Sequence, residues 1–401
     1  MLNEMKTILF LDANDTIKDA VLYAKSCGYR VVTCDNIPSH SIHKLADKAY
    51  FISTYDIEGL SKIVEDEQVD GVIYFASAHG LYGASHLIEK YNFPGIPYSV
   101  ESIFNSKNKF RTLLEENGFD CPAFQAVTSY QDIDFTKLRY PVIVKPAESA
   151  GGNVGITKVN SSEELSEAFQ CAFESSFNQI VLIESFIESN FQVNGDCLIV
   201  DGEVKLAFLG RYLYSSKKSI IPYATMFSPS VFSDDMYEKI KQTIQRLVDL
   251  VHLKSGILNV ELRVGTDGKI YFIEVNPRHS GNQIYRLMNE SYSIDLSEVA
   301  VKLAIGEPLQ LDFCEMKGNY AYVILYSTQD GELNNIQLSQ TIKDHTLFYQ
   351  QFVHSGDSVR NFKLLKDRLS LIHLSYDKYE DLDYVVKNIR EYYTVNIKEI
   401  L

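Results

Sequence analysis

The chain has 401 residues, of which 45% are hydrophobic and 23% charged. This length predicts two or three globular domains and excludes a largely disordered chain. The formal net charge of -15 comes without a basic segment, which excludes nucleic acid and anionic membranes as expected partners. Six cysteines without a C-x-x-C pair indicate reduced thiols. We find no signal peptide and no apolar run of about eighteen residues, so we expect a cytoplasmic protein.

The first hundred residues alternate apolar strands with helical segments. The predicted strands are KTILFLD, RVVTCD, AYFIST and DGVIYF. This alternation is typical of βαβ units and predicts a parallel, doubly wound sheet over residues 1–105. The turn after the first strand, Leu11 to Asp15, lacks the three glycines of a dinucleotide-binding loop, so a nicotinamide cofactor is not expected.

Residues 106–308 have a different character, with longer strands, hairpins and a glycine-rich loop, which predicts an α+β domain. The strand YPVIVKP ends in Lys145 and leads into the loop Glu148 to Gly155. Such a loop can close backbone N-H groups over phosphates, but an ordinary hairpin turn is the other interpretation. Residues 309–401 begin with the strand NYAYVILYS and predict a small C-terminal α+β cap.

The segment Gly256 to Arg278 predicts a β-hairpin with a two-residue turn at Asp267-Gly268. In the register of that turn Asn259 opposes Asn276, Glu261 opposes Glu274, and Arg263 opposes Phe272. One face then carries polar residues and the other carries apolar ones. The polar face is expected to hold Asn259, Glu261, Arg263, Glu274, Asn276 and Arg278, and the apolar face Leu258, Val260, Leu262, Val264, Tyr271, Ile273 and Val275.

The two opposed glutamates point to a metal ion. Carboxylates directly across a strand pair repel each other unless a cation lies between them. Mg²⁺ fits because it takes few protein oxygens and completes its coordination with phosphates and water. The alternative from this hairpin alone is a solvated face on which Arg263 and Arg278 balance the acids.

Taken together, these motifs resemble the ATP-grasp superfamily. Lys107 with Arg111 before Gly118, YPVIVKP with its loop, VLIESFI, and NVELR-x10-EVNPR occur in the family's order and spacing. GYRVVTCD with LADKAYFIST is similar to the preATP-grasp domain of the purine-biosynthesis and carbamoyl phosphate synthase-like branch. The C-terminal segment is similar to the caps of amino-acid ligases in that group. The resemblance implies a two-lobed ATP-grasp domain, with about residues 120–186 as a mobile lid.

The resemblance also implies roles for individual residues. Arg278 and Lys145 would be catalytic, and Lys109 is a rival to Lys107 as a phosphate ligand. Many relatives hold the ribose with a glutamate at position 191, where this chain has Phe191, so Gln192 or Asp196 is the expected substitute. The implied nucleotide ligands are Lys107, Lys145, Ser149, Gly151, Gly152, Glu184, Phe186, Ile187 and Gln192, and the implied ligands of Mg²⁺, or of Mn²⁺, are Glu261, Glu274 and Asn276.

The function that the resemblance implies is an ATP-dependent carboxylate-amine ligase. It would phosphorylate a small carboxylic acid, pass the acyl group to an amine, and release ADP and phosphate. The alternatives are a purine-biosynthesis or carbamoyl phosphate synthase-like enzyme, and an ATP-binding protein without ligase activity. Relatives of this kind are often homodimers. Arg211, Lys217 and Lys218 are either ligands of a substrate anion or solvated side chains, and His79 is either in the cleft or structural.

Overall fold

A computed structural model describes residues 5–149, 154–216, 219, 221–309 and 315–398. Its N-terminal part is the predicted parallel sheet, with strands in the order β3-β2-β1-β4. The apolar run of β1 is buried along its whole length, as in strands covered on both faces. The elements of this part are β1 (Thr7–Leu11), α1 (Lys18–Ser26), β2 (Arg30–Cys34), β3 (Lys48–Tyr50), α2 (Ile57–Glu67), β4 (Gly71–Ile73) and α3 (Ala78–Tyr91).

A small antiparallel sheet follows, which we call the lid sheet. Its strands lie in the order β5-β8-β6-β7, and one helix, α6, packs on it through buried Leu165, Ala168 and Phe169. Two consecutive helices, α4 and α5, connect the N-terminal part to it. The elements are α4 (Tyr98–Asn105), α5 (Lys107–Glu116), β5 (Phe124–Val127), β6 (Val142–Pro146), β7 (Thr157–Val159), α6 (Ser162–Glu174) and β8 (Val181–Ser185).

The largest sheet has eight strands in the order β13-β12-β9-β10-β11-β14-β18-β16. Helix α7 covers one face with buried residues at helical spacing, Ile240, Ile244, Leu247 and Val248. Its elements before residue 309 are β9 (Ser189–Val200), β10 (Glu203–Tyr214), β11 (Pro222–Phe227), α7 (Asp234–Leu250), β12 (Gly256–Gly265), β13 (Ile270–Asn276), α8 (Ile284–Tyr292) and α9 (Leu296–Ala304).

The C-terminal segment contributes three strands, β14, β18 and β16, to this same sheet, so its first strand pairs directly with β11. The other strands form a separate small sheet in the order β17-β15-β19. The elements are β14 (Asn319–Tyr326), β15 (Gly331–Leu338), α10 (Gln340–Asp344), β16 (Thr346–Gln351), β17 (Ser358–Val359), β18 (Arg368–Tyr376), α11 (Tyr379–Lys387) and β19 (Tyr393–Lys398).

One apolar core joins the parallel sheet to the large sheet. Ile8 and Phe10 of β1 belong to the same buried cluster as Phe208 of β10 and Tyr322 of β14, with residues of α8 and α9 between them. The predicted fold class, a parallel N-terminal sheet followed by antiparallel α+β structure, is confirmed. Among the described residues, no helix combines the length and hydropathy that crossing a lipid bilayer requires.

The hairpin of β12 and β13 differs from its predicted register near the turn. The backbone N-H of Gly265 donates to the carbonyl of Lys269, so the loop has three residues, and Gly268 closes it with a φ of 76°. Arg263 therefore pairs with Tyr271, and the predicted pairing of Arg263 with Phe272 is wrong. A β-bulge at Ile273 then inserts one residue, and Glu261 pairs with Glu274 as predicted.

The bulge also changes which side chains face the core. Phe272 is fully buried, whereas Tyr271 and Ile273 are only partly buried, and Ile273 lines the cleft described below. The prediction that Tyr271 and Ile273 belong to the apolar face is therefore wrong. The strand cannot keep strict alternation through a bulge, because the inserted residue shifts the side chains before it to the other face.

Candidate functional site

A cleft with a volume of about 320 Å³ lies between the lid sheet and the large sheet. The lid sheet contributes Ile143, Lys145 and Glu184, and the hairpin contributes Glu261 and Glu274. The cleft thus brings together acidic and basic side chains that are far apart in the chain. Its remaining lining residues are Ile156, Ser185, Ile187, Gln192, Asn194, Tyr212, Tyr214, Ile221, Pro222, Asn259, Arg263, Ile273, Asn276, Arg278, Ser280, Gly281, Asn282, Tyr322, Ile324, Leu365 and Arg368.

Glu261 and Glu274, which we call the carboxylate pair, face each other directly across the two strands. Burial and the charge of Glu274 raise the pKa of Glu261 to about 7. The Tyr212 hydroxyl donates a 2.8 Å hydrogen bond to Glu261 Oε1. Burial also opposes ionisation of Glu274, but Lys107 and Arg278 outweigh it and lower the pKa of Glu274. The pair is therefore an incompletely neutralised acidic site.

Lysine and arginine side chains reach the pair from two directions. Lys107 is the first residue of α5, and its Nζ lies 3.6 Å from Glu274 Oε1. Arg278 follows β13, and its Nη1 donates a 2.9 Å hydrogen bond to the carbonyl of His279. Burial lowers the pKa of Arg278, while Glu274 acts in the opposite direction. Both cations would attract an anionic group placed beside the carboxylate pair.

Glu184 is bound by two cations at the junction of the lid sheet and α5. Arg111 Nε donates to Glu184 Oε2 at 2.9 Å, and Lys145 Nζ donates to Glu184 Oε1. Burial alone would raise the pKa of Glu184, but Arg111 and Lys145 lower it to about 2. Burial lowers the pKa of Lys145 to about 8. Arg111 Nη2 also donates to the carbonyl of Ile273, the residue inserted at the bulge, at 3.1 Å.

A buried carboxylate, Asp196 on β9, supports the segment after β13. It accepts hydrogen bonds from Asn259 Nδ2 at 2.9 Å and from the backbone N-H of Ser280 at 3.2 Å. His279 Nδ1 lies 3.5 Å from the same carboxylate. The contacts of Asp196 hold Asn259 in place in the cleft, where it pairs with Asn276 across the two strands.

The structure places the predicted nucleotide ligands unequally. Ile187 and Gln192 line the cleft, and Gln192 accepts a 2.6 Å hydrogen bond from the Tyr214 hydroxyl. Phe186 does not line it; its ring packs against Lys158 Nζ, 3.6 Å from the ring centroid. Ser149 is partly buried at the end of a described segment. Gly151 and Gly152 lie outside the described residues, as do Lys217 and Lys218.

Two further candidates lie away from the cleft. His79 is exposed near the start of α3, where its ring contacts Tyr55. Arg211 is exposed on β10, and its guanidinium packs on Phe191. Since neighbouring residues of a strand point to opposite faces, the cleft residue from this part of β10 is Tyr212 instead.

Several cleft residues carry no role in the sequence prediction. Tyr212 and Asn259 contact the predicted metal ligands, and Arg111 contacts Glu184. Asn259 and Arg111 belong to motifs that the sequence does expose. Tyr212 and Arg368 belong to no sequence motif. They reach the cleft because their strands, β10 and β18, are both part of the large sheet.

Residues 113–281 match the protein family described as D-ala D-ala ligase C-terminus. The carbamoyl phosphate synthase large chain of Thermotoga petrophila is 28% identical over 289 residues, which cover 70% of this chain and 26% of that relative. The chain thus spans about a quarter of the length of this curated relative. The L-amino acid ligase of Bacillus licheniformis has the same fold, with a TM-score of 0.85. The chain is thus similar to ATP-grasp ligases in the sequence of residues 113–281 and in its fold.

The likeness to solved ATP-grasp structures extends over nearly the whole chain. The L-amino acid ligase is 19% identical, and the alignment covers 98% of this chain and 99% of that one. The biotin carboxylase domain of the 2-oxoglutarate carboxylase from Hydrogenobacter thermophilus has a TM-score of 0.70 at 15% identity, covering 99% and 92%. That domain was solved with MgADP, ADP and bicarbonate. At these identities the likeness establishes the ATP-grasp fold.

Proposed function

We propose that this chain is an ATP-dependent carboxylate-amine ligase of small molecules. The observation that carries the proposal is the carboxylate pair, partly buried and directly opposed in a cleft that Lys145 and Arg278 also line, with Lys107 Nζ 3.6 Å from Glu274 Oε1. The two opposed carboxylates suit a metal ion, and the lysine and arginine side chains around them suit the phosphate groups that the metal ion would bind. The shared fold of the L-amino acid ligase supports the same reading.

The residues of the cleft fit Mg²⁺. Glu261 and Glu274 supply carboxylate oxygens, the donor type that this hard cation prefers, and Asn276 adds an amide oxygen. Burial and the charge of Glu274 raise the pKa of Glu261 to about 7, and a cation between the two carboxylates would favour their charged forms. When bound, Mg²⁺ would neutralise charge on the phosphate oxygens of ATP.

The part of the cleft beside the lid sheet fits a nucleotide. Ile143 of β6, Ile156 directly before β7 and Ile273 of the hairpin all line the cleft and offer apolar surface to a flat ring. Gln192 and Tyr214 are polar groups that line the same cleft. Lys107 lies next to the carboxylate pair, where the phosphates would meet the metal ion. Lys145, already paired with Glu184, would add a second positive charge.

The proposed reaction has two steps. A substrate carboxylate oxygen attacks the γ-phosphorus in line, the bond from that phosphorus to the ADP oxygen breaks, and an acyl phosphate forms. The amine nitrogen then attacks the acyl carbon, phosphate leaves with the C-O bond electrons, and the amine loses a proton to solvent. Arg278 and Lys107 stabilise the charge that develops on the transferred group and on the tetrahedral oxygen.

The substitution Glu274→Gln tests this assignment. It preserves size but removes a metal ligand, so we expect Mg-dependent ADP release from ATP, with pooled amino acids and small carboxylates, to fall by about 100-fold or more. ADP and phosphate are measured in wild type and variant. Glu203→Gln, on an exposed residue of β10, is the matched control and should keep wild-type activity.

Three results would contradict the proposal. Release of AMP and pyrophosphate would exclude the acyl phosphate route. Near-normal activity of Glu274→Gln, with far-UV circular dichroism equal to wild type, would exclude the metal site. Tight Mg-ATP binding by wild type without ADP release in any pool would favour the nucleotide-binding alternative.

A further inference from the structure

The cleft continues past the carboxylate pair onto strands of the C-terminal segment. In the large sheet, β12, which carries Glu261, and β18, which carries Arg368, are separated by β9, β10, β11 and β14. Five strand steps would span about 24 Å along a flat sheet. The cleft therefore extends across the large sheet to β18, and the sheet curves enough for the charge of Glu261 to act on Tyr322 of β14. The end of the cleft at β18, which we call the far end, is lined by Tyr322, Ile324, Leu365 and Arg368.

Arg368 is the cation at this far end. It is the first residue of β18, partly buried, and its guanidinium lies 4.1 Å from the ring centroid of Phe352. The stacking covers one face of the guanidinium plane but satisfies none of its N-H donors.

Arg368 differs from the other cleft arginines in its surroundings. Burial lowers the pKa of all three, but acidic groups act in the opposite direction on Arg263 and Arg278. For Arg368, burial is the cause that the described part of the chain supplies. Within residues 5–149, 154–216, 219, 221–309 and 315–398, no carboxylate forms an ion pair with it. A desolvated guanidinium without an acidic partner is unfavourable, and a ligand anion would relieve it.

The walls between the carboxylate pair and Arg368 are mainly aromatic and aliphatic. Tyr212 is held by its hydrogen bond to Glu261, and Tyr322 packs beside it with its hydroxyl near Thr225 and Asn282. Ile324 and Leu365 continue the wall to Arg368. A ligand with an apolar middle and an anionic end fits this sequence of groups.

We propose that Arg368 binds a carboxylate of the substrate other than the one that is phosphorylated. This rests on the proposed ligase function and narrows its substrate class to molecules with an apolar body and a free second carboxylate. That carboxylate belongs either to an amino acid that acts as the amine or to a dicarboxylic acid that acts as the acyl donor. The planar guanidinium offers paired N-H donors that match a carboxylate.

The experiment compares wild type with Arg368→Met in two arms. In the first arm L-phenylalanine and L-phenylalaninamide are the amines, with pooled carboxylates as donors. In the second arm succinate and its monoamide are the donors, with pooled amines. We expect wild type to prefer the free acid by about 10- to 100-fold in kcat/KM in one arm, which identifies the source of the carboxylate.

The expected effect of Arg368→Met is loss of this preference, mainly through KM, since Arg368 would bind a carboxylate that does not react. Arg368→Lys should keep part of it, because a point charge remains without the planar donor pair. Arg360→Met is the matched control, since Arg360 is exposed and lines a separate surface depression. Calorimetric Mg-ADP binding by each variant verifies that the nucleotide site is intact.

The subsite is overturned if wild type and Arg368→Met prefer the free acid over the amide equally, or if wild type shows no such preference in either arm. In both cases the release of ADP would still support the proposed function. If wild type releases no ADP in any pool, the proposed function fails instead. The subsite is then decided by equilibrium dialysis of L-phenylalanine and succinate against their amides, with Mg-ADP present. Equal binding of acid and amide, or binding of neither, overturns it.

Discussion

Glu184 and its two partners join the lid sheet to the base of the cleft. Glu184 lies on β8, Lys145 on β6 and Arg111 on α5, and all three side chains are buried. Arg111 also reaches the carbonyl of Ile273 on the hairpin. One arginine thus connects three elements that are distant in the chain. Its loss would leave a buried carboxylate with one partner and a bulge carbonyl with none.

We expect Arg111→Met to lower the free energy of unfolding by about 3 kcal/mol, in the range for breaking a buried ion pair. Lys145→Met should cost less, about 1 kcal/mol, because Arg111 and Glu184 remain as a neutral pair and the burial cost of Lys145 disappears. Urea unfolding followed by far-UV circular dichroism measures both, with Arg360→Met as an exposed control. A larger loss for Lys145→Met than for Arg111→Met would contradict this account.

The hairpin of β12 and β13 is the element in which sequence and structure can be compared residue by residue. The sequence predicts the hairpin, its turn region and the pairing of Glu261 with Glu274. It does not predict the three-residue turn or the bulge at Ile273, which shift the register in opposite senses. Arg263 lies between the turn and the bulge, so only the turn shifts its pairing, and its predicted partner is wrong. Glu261 and Glu274 lie beyond both features, so the two shifts cancel and their predicted pairing is right.

A tertiary contact that no local pattern contains accompanies the bulge. At a bulge the extra residue leaves the strand ladder, so its carbonyl is free for another donor. Here the Ile273 carbonyl accepts from Arg111 of α5, and the Ile273 side chain faces the cleft. A donor from a helix more than a hundred residues earlier cannot be read from the hairpin sequence.

An interior strand, β18, carries a buried histidine with a consequence for pH. His373 Nε2 lies 3.0 Å from the carbonyl of Asn282, which requires a proton on that nitrogen. Burial lowers the pKa of His373 to about 4, below the value of about 6.5 in an unfolded chain. Because the folded pKa is depressed, stability is full above pH about 6.5 and falls as the pH approaches 4. The shift corresponds to up to about 3 kcal/mol.

We therefore expect His373→Gln, which keeps a donor for the Asn282 carbonyl but does not titrate, to lose less stability than wild type on acidification. Urea unfolding at pH 7, 5.5 and 4.5 gives the two free energies of unfolding at each pH. The difference between wild type and variant should change by about 1 to 3 kcal/mol across that range. Parallel pH profiles would show that protonation of His373 does not limit acid stability.

At the scale of the whole molecule, the C-terminal segment completes the large sheet. Strand β14 pairs with β11 from Ala224 to Phe227, and the two share a buried cluster with α11. The predicted domain boundary at 308/309 thus separates strands that pair in one sheet. The predicted boundaries of the N-terminal domain and of the lid, and the lid's mobility, stay predictions.

This pairing predicts that residues 1–308 alone do not fold cooperatively. Removing β14 would leave β11 as an open edge and expose Tyr223 and Met226, which are now buried. We expect aggregation on size-exclusion chromatography and a non-cooperative thermal transition by circular dichroism. A chain of residues 1–398, which keeps all described strands, is the control and should behave as the full chain. A soluble, cooperatively unfolding 1–308 fragment would contradict the prediction.

Local periodicity and motifs of fixed spacing are enough to predict the resemblance to ATP-grasp enzymes, the fold class and the opposed glutamates. Lys107, Lys145, Glu184, Glu261, Glu274 and Arg278 all take part in the site that the structure describes.

Contacts between distant parts of the chain set how those groups are neutralised and which residues line the rest of the cleft. The two cations on Glu184, the Tyr212 hydroxyl on Glu261 and the guanidinium of Arg368 beside Phe352 come from strands and helices that meet through long-range pairing. The charge state of a buried group depends on all its neighbours in space. A one-dimensional pattern records only its neighbours along the chain.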